Sequence, residues 1–265
     1  RVAGVGRVDV AAARRERYLS VASGALLDQI ESREITAEAM AEVVATHPDA
    51  AGAVRDSIRR ARELEGEIRS AFVALVDIFP DARFLPVHYM VGPQSGWMGE
   101  PSGAGIKIVM SATPFDFSRL PGLVLHETVH VQQALTVGLE EYQQVYGPKK
   151  SLLALALREG VATFLTHHIL GGPFYKETRE YFVAHEEELW RRFDEQKLDR
   201  EPGDWMWRDP EREEEPRDLG YLLGGAIVQS YYEAAEDKAA AIRRILAIVD
   251  AEAFLAESGY PEKFG

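Results

Sequence analysis

Residues 118–138, SRLPGLVLHETVHVQQALTVG, constrain the fold more than any other stretch of the chain. Leu123, Val124, Leu125, Val129 and Val131 leave little of the segment that can face water, so it reads as a helix buried on most faces. Its ends carry matching punctuation. Ser118 or a neighbour can cap it, Pro121 is tolerated in the first turn, and Gly138 stands where a helix would stop. A second apolar run, SLLALALREGVATFLTHHILGG, closes on Gly171-Gly172. Two such helices need a large core around them. At 265 residues, with a hydrophobic fraction ordinary for a globular protein, the chain can build one.

The remaining segments fill in around this pair. Residues 14–78 read as helices, with RRERYLSVASGALLDQI and the stretch from about Ala53 to Ile78 separated by TAEAM and HPDAAG. DARFLPVHYMVG changes character, and Phe84, Leu85, Val87, Tyr89 and Val91 suit a strand. The loop-like GPQSGWMGEPSGAG leads to a second strand, GIKIVMSA, so two strands joined by a long loop are expected. A charged helix follows through EYFVAHEEELWRRFDEQ, then the loop GDWMWRDPEREEEPRD. Three further helical runs, GYLLGGAIVQSYYEAAE, KAAAIRRILAIV and AEAFLAESGY, end the chain. No repeat or low-complexity linker interrupts it. The fold class expected is α+β, predominantly helical, with a small sheet next to the 118–138 helix. One domain over 1–265 is expected, with N-terminal helices over 1–80 packing on a core over 81–265.

Inside the first apolar helix, His126-Glu127-Thr128-Val129-His130 fits H-E-x-x-H. Residues four apart project from one helix face a turn apart, so both imidazoles can reach one cation. Zinc held this way activates water and polarises a carbonyl, and Glu127 stands beside the pair as the general base. Two imidazoles and a carboxylate buried among apolar groups without partners would cost several kcal/mol. A cation satisfies all three.

A third ligand is then required, and Glu159, alone in the apolar LREGVATFLT, is the candidate. The interval 131–158 is long enough to end one helix and bring a second back across the first, and Gly160 would permit close backbone approach. The other reading of Glu159 is an ion pair with an arginine. Thr163, one turn on, is either core filling or a hydrogen-bond partner of a ligating histidine. His167 and His168 lie two turns beyond Glu159, about 12 Å along the helix, and are better placed as surface or loop-contacting residues. His88 reads as a satisfied sheet histidine, Glu140 and Glu141 as solvent-facing, and His47 and His185 carry no signal.

With HETVH and LREGVATFL in hand, the sequence resembles the zincin metallopeptidases of the gluzincin arrangement. More narrowly, it resembles the bacterial predicted zinc-dependent proteases related to the gliding-motility lipoprotein GldB. The late GYLLGGAIVQSYY segment and the stretch from Asp250 to Phe254 before ESGY also carry this likeness, which covers about residues 84–260. It implies a zincin-like fold, zinc, and peptidase chemistry on a peptide or protein substrate. It maps His126, His130 and Glu159 to ligands and Glu127 to the base. The chain departs from the pattern at Thr163, where the arrangement has an aspartate four residues after the third ligand.

A peptidase also needs an oxyanion donor and something to align substrate. Tyr221, between glycines at the start of a helix, is the candidate donor, its alternative being a core-packing tyrosine. Tyr231 and Tyr232 are weaker rivals. GIKIVM is expected as an edge strand able to pair with an extended peptide, and Gly92–Ala104, with Trp97 and Met98, as a rim or lid. Trp205 and Trp207 would shape a subsite or cover the core.

Charge narrows the partners. With 43 acidic against 30 basic residues the net charge is −13, which argues against nucleic acid and against an anionic membrane surface. The absence of cysteine excludes disulfides and thiolate-held zinc. No run reaches the roughly 18 apolar residues of a membrane span. The first residues, RVAGVG, lack an initiator Met, so a removed leader and a periplasmic or otherwise exported location are the favoured expectation. Two other functions compete with the peptidase: a non-catalytic, zinc-stabilised envelope assembly or scaffold protein, and a hydrolase of some other amide or ester.

Overall fold

The computed structural model describes residues 23–33, 35–47, 49–93, 98–110, 115–147, 150–172, 176–207 and 215–265. Those residues are predominantly helical with one small mixed sheet, the α+β class expected. The chain divides into two compact units, one of residues 1–67 and 84–124, the other of 68–83 and 125–265.

In the first unit, helices α1 (Gly24–Ser32), α2 (Ala37–Thr46) and α3 (Ala50–Glu63) precede the sheet, and α4 (Glu65–Ile78) begins there. TAEAM is not a break between helices. Thr36 accepts from the Ala39 amide as an N-cap, so this segment starts α2. The expected 53–78 helix is two, parted at Leu64, with α3 beginning slightly earlier than expected. Residues 14–22 of the first expected helix lie outside the described residues.

The sheet has order β1 (Val87–Val91), β3 (Gly105–Met110), β2 (Met98–Ser102). β1 pairs with β3 in parallel from Val87↔Ile106 to Val91↔Met110, and β2 pairs antiparallel from Met98↔Val109 to Ser102↔Gly105. Two expectations change here. The segment read as a long loop contains β2, because a Gly-rich stretch can still pair when its partner supplies the packing. β3 is therefore the central strand, buried along its whole length, and cannot take a peptide on an edge. Met98 belongs to β2, while Trp97 of the expected lid lies outside the described residues. His88 Nε2 meets the Ala104 carbonyl at 3.0 Å, the satisfied sheet histidine anticipated.

The second unit is helical: the remainder of α4, then α5 (Leu120–Val137, continuing from the first unit), α6 (Leu139–Tyr146), α7 (Leu152–Leu170), α8 (Lys176–Gln196), α9 (Leu219–Ala234), α10 (Lys238–Leu246) and α11 (Ala251–Glu257). Most of the punctuation read from the sequence holds, though Ser118 lies inside a 3-10 turn that Asp116 caps. Pro121 lies in the first turn of α5, Gly138 follows it at φ 89°, and Gly171 closes α7 in the left-handed region at φ 69°. α7 is capped by Ser151, and its free N-terminal amides at Leu152 and Leu153 bond the Asp199 and Lys197 carbonyls.

α7 and α9 cross at glycines. A Cβ on Gly160 would lie 2.2 Å from the Gly224 carbonyl carbon, and one on Gly224 would lie 1.8 Å from the Ala156 oxygen. Gly160 thus serves the close approach foreseen for it, but towards α9. The crossing brings the two helices into backbone contact next to Glu159.

Candidate metal centre

α5 presents His126, Glu127 and His130, and α7 presents Glu159; all four are less than a tenth exposed. The i, i+4 spacing places the two imidazoles on one face, with ring centroids 4.9 Å apart. Glu159 Oε2 lies 3.2 Å from His126 Nε2 and 3.2 Å from His130 Nε2. One ligand atom from each of the three residues falls within 4.8 Å of the others. Ligands about 2.0–2.1 Å from a tetrahedral ion stand about 3.4 Å apart, so the spacing suits a small cation with nitrogen and oxygen donors. The residues fit a metal ion.

The protons make the case firmer than distance alone. Gln133 Nε2 donates to the Arg158 carbonyl at 3.2 Å, which turns its Oε1 towards His130 Nδ1 at 2.8 Å. An amide oxygen only accepts, so His130 Nδ1 must carry a proton. In a neutral ring, Nε2 is then a bare lone pair, and it points at a carboxylate oxygen. Lone pairs facing each other inside a protein repel. Either a second proton sits on the ring or a cation lies between them.

Glu159 divides its two oxygens. Oε1 receives Arg158 Nε at 2.9 Å and Nη2 at 2.6 Å, while Oε2 turns to the histidines. The ion-pair reading of this residue is therefore met by Oε1, with an arginine that is its own neighbour in sequence, while Oε2 faces the two histidines. Burial opposes charge on Glu159, yet His130 and Arg158 together hold its carboxyl well below the usual carboxylate range. Burial likewise works against the Arg158 guanidinium, and Glu159 beside it outweighs this and raises its pKa. Tyr142 on α6 senses the same charges: burial pushes its phenol up, Arg158 pulls it down, and Glu159 and Glu127 push it further up.

Thr163 does not support a histidine. Its buried Oγ1 makes no hydrogen bond among the described residues. The orienting roles fall instead to Gln133 for His130 and to Arg158 for Glu159. Neither Gln133 nor Arg158 was singled out by sequence. The Gln in HVQQ three residues after the second histidine was the available signal, since i, i+3 residues are neighbours on a helix. Gln132, adjacent to it, ties α5 to the chain at Arg83, accepting from the Arg83 amide and donating to its carbonyl, both at 2.8 Å.

Tyr221 on α9 packs its ring on His126, centroids 6.1 Å apart and nearly parallel. Its phenol oxygen accepts the Trp207 indole N–H at 2.9 Å. Trp207 and Asp218 both have positive φ, 55° and 61°, a strained conformation for such residues, and the Asp218 carboxylate receives the Trp207 amide at 2.9 Å. Trp205, in contrast, is core: it is buried against Phe193, and its indole N–H donates to Gln196. Tyr231 packs on Phe254, and Tyr232 on Phe164 and His168. Glu140 and Glu141 are exposed as expected.

No family model matches the chain, and comparison with curated proteins and with solved structures returned no match. Among the described residues no helix is long and apolar enough to cross a membrane.

Proposed function

We propose that the chain is a zinc-dependent peptidase of the gluzincin type, with His126, His130 and Glu159 as ligands, Glu127 as general base and Tyr221 as oxyanion donor. The observation that carries this reading is the meeting of two imidazole nitrogens and one carboxylate oxygen at 3.2 Å, with His130 Nδ1 already committed to Gln133. Zinc held there would activate water and polarise the scissile carbonyl.

The chain's own groups would do the rest. Glu127 follows the first ligand and is equally buried, so its carboxylate takes a proton from water and later returns it to the leaving amine. Gln133 keeps the His130 ring in one tautomer, and Arg158 keeps Glu159 charged and fixed in rotation. The Trp207 indole N–H holds the Tyr221 oxygen in place, beside the ring of His126, where the phenol would meet a developing oxyanion.

Metal content measured alongside hydrolysis of a peptide library tests the proposal. About one transition metal per chain is expected, and Glu127→Gln should keep it while lowering turnover by about 10²–10⁴-fold. Purified protein without metal, or intact turnover in the Glu127→Gln variant, defeats the reading. Bound metal with strong thermal stabilisation and no peptide cut would favour the non-catalytic assembly protein instead, for which the support is the departure at Thr163.

A further inference from the structure

One turn beyond Glu159, α7 and α9 border a cavity of about 310 Å³. This is the low end for small-molecule pockets and suits a single residue-sized group. Thr163, Phe164 and His167 line it from α7, Leu222, Ala226 and Gln229 from α9, and Phe182 and Arg179 from α8. The helices that carry Glu159 and Tyr221 thus continue directly into its wall. By helix rise, Thr163 is about 6 Å and His167 about 12 Å along α7 from Glu159.

Its lining carries Glu186 and Glu233 against Arg179 and Lys263, and some of its hydrogen-bond donors are left without acceptors. Glu186 is paired with Lys263 at 2.7 Å and takes the Tyr260 hydroxyl at 3.0 Å, both on one oxygen. Glu233 accepts from Gln229, and Ser230 donates to the Ser258 carbonyl. Three groups are left over: the buried Thr163 hydroxyl, His167 Nδ1, and the Arg179 guanidinium, none with a hydrogen bond or ion pair among the described residues. Thr163 is only 7% exposed, so its hydroxyl has no easy recourse to water. All three can donate, and one is a full positive charge. Unmet buried donors beside a cation call for an acceptor that is an anion.

We propose that this cavity binds a carboxylate of the substrate, carried on an apolar stem, with Arg179 as its charge partner and Thr163 and His167 as hydrogen-bond donors. Phe164, Phe182 and Leu222 supply the apolar wall for the stem. An extended peptide advances about 3.3–3.6 Å per residue, so 6–12 Å places the carboxylate two to three residues from a carbonyl held at the metal centre. The proposal rests on the peptidase reading for the identity of the ligand as a substrate. A C-terminal carboxylate and an acidic side chain share the chemistry, and the test separates them.

Calorimetry on the zinc-loaded full chain would compare three probes: N-acetyl-Ala-Phe, its C-terminal amide, and N-acetyl-Ala-Glu-amide. At least one carboxylate-bearing probe should bind about 10–100-fold more tightly than the Phe amide, the range of one charge-assisted hydrogen bond. Whichever acid binds more tightly identifies the source. Arg179→Gln should erase that preference without changing amide binding or metal content, and Arg179→Lys should restore part of it. Equal binding of acid and amide, no binding of any probe, or a preference that survives Arg179→Gln overturns the assignment. Because metal content is read separately, a chain that prefers the acid but holds no metal keeps the cavity assignment and loses the peptidase one.

Discussion

Two buried charges, one in each unit, look alike in sequence and behave differently in structure. Lys107, in the middle of β3, is 1% exposed, as deep as any residue of the candidate metal centre. Its ammonium meets Asp28 at 2.6 Å, with Glu100 at 3.7 Å and Arg33 shared onto Glu100. Donors face acceptors, and the charges close locally. At His130 and Glu159, acceptor faces acceptor, and a neutral His130 ring cannot close the pair without an added proton or a cation. Burial of charge alone does not mark a site. The mark is a lone pair at His130 Nε2 that a neighbouring hydrogen bond has deprived of its proton and turned towards a carboxylate.

That contrast breaks first at the ligands. His126→Ala or Glu159→Gln should abolish stoichiometric metal, read by elemental analysis of purified protein, whereas Asp28→Asn should keep it. Loss of metal in the Asp28 variant would mean that the two regions are coupled and that the distinction is wrong. The next effect is steric. Gly224→Ala puts a methyl 1.8 Å from the Ala156 oxygen, backbone against backbone. A destabilisation of about 3 kcal/mol or more is expected in urea titration. Because the α7–α9 crossing holds both Glu159 and Tyr221, a variant that still folds should also bind metal more weakly.

A smaller effect isolates the proton argument. Gln133→Leu removes the acceptor that fixes the His130 tautomer, and metal affinity should fall about 10–100-fold by competition with a chromogenic chelator. Unchanged affinity would show that the tautomer is set elsewhere.

Both faces of this comparison were partly legible in the sequence. The apolar residues around HETVH and Glu159 announced buried helices, and the i, i+4 rule was enough to bring the histidines to one face. The partner of Gly160 was not legible, because a glycine announces a close approach without naming the helix that makes it. Arg158 was overlooked for a similar reason: adjacent helix residues do not face each other, yet a long guanidinium can curl back onto the next carboxylate. β2 was hidden in Gly, Pro and Ser, since its pairing is dictated by β3 and not by its own propensity. Lys107 sat unnoticed inside a strand, because alternation predicts which face a residue takes but not whether that face is covered.

The smallest expected effect is therefore the most discriminating. A buried ion pair can often be exchanged for an apolar side chain of similar volume at little cost, since desolvation had already consumed most of the Coulombic gain. Asp28 is half exposed and Glu100 keeps Arg33, so removing the ammonium strands no buried carboxylate. Lys107→Met should change stability by about 1 kcal/mol or less in either direction and leave metal content untouched. No comparable exchange exists at the metal centre. Replacing His130 with Leu keeps the volume, but Glu159 Oε2 and His126 Nε2 lose the partner with which they would share a cation, and both residues lie buried. A Lys107→Met variant that unfolds, beside a His130→Leu variant as stable as the parent, would reverse the assignment of which buried charge is structural and which is a site.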